Sequence, residues 1–438
     1  MEGILRPEAG LTGDVGGAMT SGGKADLTNL TIDPKRLWDS LMETARFGGT
    51  EKGGIRRLTL SDEDRQVRDW FKLACEAIGC TITVDDCGNM FARRAGKRDD
   101  LPPICMGSHL DTQPTGGKFD GVLGVLGALE VMRTLHTSGY DTNAPLEIVN
   151  WTNEEGSRFA PAMLASGVFA GAFTRDYAYS REDREGKTFA TELERVDYRG
   201  TEPVGKRKIG AMFELHIEQG PILEAEGKTI GVVTGVQGMR WYEVTVRGQA
   251  AHTGATPMHL RKNALLGAAR MIEEVHAIAM RHAPDAVGTV GLVEVQPNSR
   301  NVVPGEVFFC VDFRHPDETV LEAMEREFRA ALPATLGALS LTFEEKRIWN
   351  SPAVRFDSDM IASVRKGAEK AGYATRDMVS GAGHDAAYIA RIAPTTMIFV
   401  PCAGGVSHNE SESTSFDECG AGAQVMLEAV LAYDQRFG

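Results

Sequence analysis

Apolar residues recur with two different periods along this chain. Over 62–78, Val67, Trp70, Phe71, Ala74 and Ile78 fall on one face of a helix. Short strand-like runs follow at 81–84 and 89–92. A buried strand at 103–107 leads into SHLDT, a glycine-spaced apolar helix covers 122–135, and a strand at 146–151 ends in TNEEG. Strands alternating with helices predict an α/β layer with a mainly parallel sheet. Such sheets bind ligands at the carboxyl ends of their strands, where SHLDT and TNEEG fall. Between about Gly231 and Trp349 the texture changes. An alternating run at 242–246, a helix at 263–280, a strand at 306–313, a helix at 317–332 and a strand at 340–347 read as a compact α+β insert. The α/β texture then returns with a helix at 357–371, the loop SGAGHDA, a strand at 396–400 and a helix at 419–435. The pattern predicts a disordered tail over 1–29, one domain built from 30–230 and 350–438, and an inserted domain over 231–349.

Composition narrows the function classes. A chain of 438 residues with 42% hydrophobic and 25% charged residues reads as a soluble protein of two domains. Its net charge of −14 argues against an extended phosphate-binding surface, so no nucleic-acid partner is expected. Bound metal ions can still reverse the local field of an acidic protein. No apolar run approaches the roughly 18 residues of a membrane span, and the first residues lack a signal-peptide pattern. The seven cysteines form no CxxC pair and are odd in number, which disfavours a disulfide framework and fits a reducing cytoplasm.

The candidate chemistry is metal-assisted hydrolysis. Cleaving an unactivated amide at neutral pH needs a nucleophilic water and a Lewis acid, which two divalent ions bridged by a carboxylate can supply. Imidazole and carboxylate ligands suit Zn, Mn, Co or Ni. His109 and Asp111 sit two apart, so on an extended segment they face the same way, and the carboxylate can orient the imidazole. Asp120 follows in GGKFDG. Of Glu154 and Glu155, one can bind metal while its neighbour serves as general base. His216 in FELHIEQG and His408 in GGVSHNE complete the set. Singly these signals are commonplace in structural roles; their clustering after apolar strands in glycine-rich turns is what carries weight.

The stretches GSHLDTQPTGGKFDGVLGVLGALEV, NEEGSRF, FELHIEQGP, AAHTGATPM, PNSRNVVPG and VSHNESEST, spread in order over about 30–435, resemble the hydantoinase/carbamoylase branch of the M20 amidohydrolases. The resemblance implies a dinuclear metallohydrolase domain with an inserted dimerisation (lid) domain. It implies that His109, Asp120, Glu155, His216 and His408 bind two metal ions, with Asp120 bridging, that Glu154 is the general base, and that Asp111 orients His109. It also implies that His252 reaches the partner protomer's site in a homodimer and stabilises the oxyanion, and that Asn301 and Arg314 clamp a substrate carboxylate. Gln219 matches a residue near the leaving group, and His384 in SGAGHDA shares the motif without an assigned role. Where the related pattern reads Ala-Gly-Thr-Thr-Pro, this chain has Thr253–Gly254–Ala255–Thr256–Pro257. The expected substrate is a small carbamoyl or ureido compound bearing a carboxylate. The rival readings are an aminoacylase or dipeptidase on the same fold and an inactive M20-like binding protein.

Overall fold

The computed structural model describes residues 30–438; the tail expected over 1–29 lies outside the described residues. Four strands form the centre of a nine-stranded sheet: Leu146–Trp151, Ile104–His109, Ala211–Ile217 and Thr395–Val400, each parallel to the next. All four are buried along their whole length, as a parallel sheet covered on both faces requires. Antiparallel pairs extend the sheet on both sides, with Thr81–Val84 and Met90–Arg94 beyond Leu146–Trp151, and Ile230–Val236 beyond Thr395–Val400. Because the central strands run in one direction, His109, Trp151, Ile217 and Val400 end at one edge of the sheet. The polar motifs follow at that edge.

Two apolar helices, Val122–Ser138 and Phe416–Asp434, pack on each other and against this sheet. The buried Glu130 carboxylate on the first accepts from Arg36 Nε at 2.8 Å and Nη2 at 2.7 Å, which fastens the helix Pro34–Thr44. The helix Asp62–Glu76 is capped by Ser61, whose side chain accepts from Asp64 N, and carries three acidic residues in its first turn. On this helix the buried pair Asp64 and Arg68 reaches Leu60 N, Gly88 O and Thr152 Oγ1, so it ties the segment to the end of Leu146–Trp151.

A second, antiparallel sheet has the order Thr342–Ser351, Gly238–Arg247, Glu306–His315, Val287–Gln296. The helices Ala264–Arg281 and Glu318–Gly337 pack on its face, and Tyr242, Phe309, Phe313, Met324 and Phe328 are in the shared core. The chain passes between the sheets at Gln237 and at Pro352–Ala353. Residues 231–236, placed in the insert by sequence, belong instead to the large sheet, because Ile230–Val236 pairs with Thr375–Ser380 and Thr395–Val400. That strand is buried at six of its seven positions, so it carries no alternation that would mark it as a strand. No helix among the described residues is long and apolar enough to cross a membrane, and all seven cysteines are free.

Candidate active site

His109 closes the strand Ile104–His109. Its Nδ1 lies 2.9 Å from the carbonyl oxygen of Asp111, an atom that can only accept, so Nδ1 carries a hydrogen and Nε2 is the nitrogen left to bind a cation once its own proton is displaced. That Nε2 is buried without a hydrogen-bond partner, 3.5 Å from Asp120 Oδ1 and 3.4 Å from Glu154 Oε2. The orienting group is thus the backbone carbonyl of Asp111 rather than the carboxylate expected from sequence, whose Oδ1 is 3.9 Å from Nδ1. The Asp111 carboxylate instead accepts the backbone N–H groups of Glu154 and Glu155, both at 3.3 Å, and so shapes the turn that carries them.

Asp120 sits at the centre. His216, whose Nδ1 donates to the carbonyl of Ile217, turns Nε2 to Asp120 Oδ1 at 3.1 Å; the N–H of Gly121 also points at this nitrogen at 3.1 Å. The other carboxylate oxygen, Oδ2, faces His408 Nε2 at 3.4 Å, and His408 in turn faces Glu155 Oε2 at 3.6 Å. The approach depends on Gly121, at φ +66°, because a Cβ there would lie 2.3 Å from the His109 ring. Three donor groups result: His109/Asp120/His216 and Asp120/Glu155/His408, which share Asp120, and Glu214/His216/His384, which shares His216 with the first. In the first, two imidazole Nε2 atoms and a carboxylate converge on a buried space, an arrangement that accepts a cation in place of ring protons.

The electrostatics agree. Burial disfavours a charge on His109, yet Glu154, Asp120 and Asp111 outweigh it and hold the imidazole well above its usual range. Burial pushes Glu154 well up, and burial together with Asp120 pushes Glu155 up to about 8. Such a surplus of buried negative charge favours a divalent ion as it favours a proton. The set is chemically fitted to hold metal.

A model of peptidase family M20/M25/M40 matches residues 105–432. The chain belongs to this family. It is 52% identical over 403 residues to an N-carbamoyl-L-amino-acid amidohydrolase of Rhizobium meliloti, covering 92% of this chain and 97% of the relative. It is 34% identical over 405 residues to an allantoate amidohydrolase of Bacillus subtilis, covering 91% and 97%. A solved amidase of the hydantoinase/carbamoylase family from Burkholderia multivorans superposes with a TM-score of 0.90 at 54% identity, covering 92% and 98%. The chain is thus an M20 metallohydrolase of the hydantoinase/carbamoylase branch, and the groups around Asp120 are its candidate metal ligands.

The remaining candidates of this M20 chain fall in three places. Gln219, at φ +57°, joins the cluster, its Nε2 donating to Asp120 Oδ2 at 2.8 Å. Arg314 lies on Glu306–His315; Nε and Nη2 rest on the Asp312 carboxylate at 3.0 and 2.8 Å, and Nη1 donates to Gly381 O at 3.0 Å. His252 and Asn301 meet in an exposed turn, where Thr253 N donates to Asn301 O and His252 Nδ1 accepts from Gly254 N and Ala255 N. Their hydrogen bonds stay within that turn and do not reach the Asp120 cluster. His384, left without a role by sequence, stacks edge-on to His216 at 4.6 Å, and burial holds its imidazole well below the usual range.

Sequence reasoning missed the polar layer behind the candidate metal ligands. Buried Glu214 accepts from Ser108 Oγ at 2.6 Å and from Ala386 N at 3.0 Å, and buried Asp385 is bonded by Ser166 Oγ. Glu214 had a legible signal: a carboxylate within the apolar strand AMFELHI, two residues from His216 and on its face. Ser108 and Ser166 carry none, since a serine beside a glycine is ordinary.

Proposed function

We propose that this chain hydrolyses the carbamoyl C–N bond of N-carbamoyl-L-amino acids, releasing the amino acid, carbon dioxide and ammonia, with two divalent ions per subunit. The observation that carries the reading is Asp120, shared between two groups of imidazole and carboxylate donors beside the unbonded Nε2 of His109. The substrate class follows the amidohydrolases that the chain resembles along nearly its whole length. His109, Asp120 and His216 would hold one ion, and Asp120, Glu155 and His408 the other; Zn, Mn, Co and Ni all suit these donors. Bound there, the ions supply Lewis acidity that activates water and polarises the scissile carbonyl.

The protein's own groups do the rest. Glu154, 3.4 Å from His109 Nε2 and outside both donor groups, takes the proton of the attacking water and passes it to the leaving nitrogen. Asp111 holds His109 and the Glu154–Glu155 turn in register. Arg314 has Nε and Nη2 engaged by Asp312 and Nη1 by Gly381 O, which leaves one N–H on each Nη to pair with a substrate carboxylate, and Asn301 adds orientation. Gln219 lies at the Asp120 end, beside the leaving group. His252 stabilises the developing oxyanion from the partner protomer of a homodimer.

The test is ammonia release by the chelator-stripped chain reloaded with zinc or manganese. N-carbamoyl-L-amino acids, N-carbamoyl-β-alanine, allantoate, N-acetyl-amino acids and dipeptides are offered in parallel. Ammonia and free amino acid in equal amounts from the N-carbamoyl-L-amino acids are expected. Cleavage of only the acyl or peptidyl compounds would make the chain an aminoacylase or dipeptidase. No turnover and no retained metal would make it a binding protein.

A further inference from the structure

Glu412 lies four residues after His408, and its hydrogen bonds converge on Asp120. The side chain is buried, with the residue 4% exposed. Oε1 accepts two successive backbone N–H groups, those of Phe119 at 3.2 Å and Asp120 at 3.1 Å. Oε2 is 3.0 Å from Ser407 Oγ, and the same hydroxyl is 3.1 Å from Asp120 Oδ2. Glu412 therefore grips Asp120 from its backbone side, and Ser407, whose single hydroxyl hydrogen serves one carboxylate at a time, stands between the two side chains.

The loop is built to admit this carboxylate. A Cβ at Gly117 would stand 2.1 Å from Glu412 Oε1 and 2.5 Å from Glu412 Cβ, so only glycine lets the GGKFDG backbone close over Glu412. The segments joined are far apart in sequence. One opens the helix Val122–Ser138 and the other precedes Phe416–Asp434, and these two helices pack on each other.

From this geometry we infer that Glu412 is a positioning residue, which sets the Asp120 carboxylate between His109 and His216 on one side and His408 on the other and so raises the affinity of the site for metal. Two N–H groups on one oxygen restrict the backbone around Phe119 and Asp120. That restriction keeps Oδ1 directed to His109 and His216 and Oδ2 to His408. Without it, two N–H groups would be buried unbonded and the loop would turn outward to find water. The inference rests on the reading of Asp120 as the shared metal ligand.

The experiment is zinc affinity, measured on the full chain by competition with a chromophoric chelator, with thermal unfolding of the metal-free proteins recorded alongside. E412A is expected to bind zinc about 10- to 100-fold more weakly, the usual cost of losing a group that orients a metal ligand. E412Q is expected to stay within about threefold of the parent, because its amide oxygen accepts the same two N–H groups and its NH₂ donates to Ser407 Oγ, releasing the serine hydrogen for Asp120. Affinity in E412A within about twofold of the parent overturns the inference. So does an E412Q as weak as E412A, which would assign the effect to charge. Should E412A fail to fold, E412D carries the test: it keeps the charge, is one methylene short of the two N–H groups, and is expected to bind about tenfold more weakly; parent-like affinity overturns the inference. D120N is the control for the underlying reading. If it binds zinc as the parent does, the metal assignment itself fails, whereas loss in D120N with no loss in E412A or E412D refutes Glu412 alone.

Discussion

Glu154 and Glu155 are adjacent in sequence and stand in different places. Glu155 Oε2 faces His408 at 3.6 Å within a donor group, while Glu154 Oε2 faces His109 and belongs to no donor group. Replacing Glu154 with Gln should therefore leave metal content intact and lower kcat by about 10²- to 10⁴-fold, since an amide cannot accept the water's proton. Metal analysis and single-turnover rates on one preparation check this, and near-normal turnover would remove Glu154 from the mechanism. Arg314→Lys keeps the charge but not the planar fork that rests on Asp312 and Gly381. KM for a carboxylate-bearing substrate should rise about tenfold or more, the loss of one charge-assisted hydrogen bond, with little change in metal binding. Unchanged kinetics would make Arg314 a structural ion pair.

At the scale of elements, the active-site turns are held by buried charges that reach across the chain. Asp64 and Arg68, both with fully buried side chains, connect the helix Asp62–Glu76 to Gly88 and to Thr152, two residues before Glu154. Asp64→Ala strands a buried guanidinium, and the expected cost is about 3–5 kcal/mol of unfolding free energy, read by denaturant titration. Asp64→Asn should cost less, because its oxygen can still accept from Leu60 N. A loss below about 1 kcal/mol in Asp64→Ala would rank the pair with surface salt bridges. Most of these elements were legible in the sequence. The helix predicted over 62–78 ends at Glu76, and the strand at 146–151 has the bounds expected. Pro34–Thr44 was not singled out, since its place depends on Arg36 meeting Glu130 nearly a hundred residues on. Val287–Gln296 was also missed: it carries Gly288 and Gly291 and alternates weakly, because it is an edge strand with much of its surface exposed.

On the scale of the whole molecule, the turn with His252 and Asn301 lies in the segment between the two crossings at Gln237 and Pro352, and its hydrogen bonds remain local. The edge strand of the same segment exposes Val287, Leu292 and Val293, and Met258 and Leu260 are exposed beside the turn. Exposed apolar groups on one lobe suit a twofold contact between copies. We expect an active homodimer in which His252 works across the interface. Mixing inactive His252→Ala chains with inactive Glu154→Gln chains under subunit exchange should restore activity, because a mixed dimer contains one site with both residues intact. If exchange is verified by mass and no activity returns, His252 acts within its own chain or not at all.

The sequence alone indicated which residues are candidates to hold a metal and which strands would carry them. Parallel strands buried on both faces appear as apolar runs, and the polar groups placed after such runs must gather at one sheet edge. The sequence set Asp120, Glu154 and Glu155 apart from surface carboxylates only by their clustering after apolar strands in glycine-rich turns and by the resemblance. Only the tertiary structure decided the contacts that depend on direction. The carbonyl of Asp111 rather than its carboxylate meets His109, Ile230–Val236 joins the large sheet rather than the insert, and Glu412 reaches the backbone of Asp120 across nearly three hundred residues. Periodicity records which face of an element is buried. It does not record which distant atom a buried polar group will find there, and that is settled only when the two segments pack.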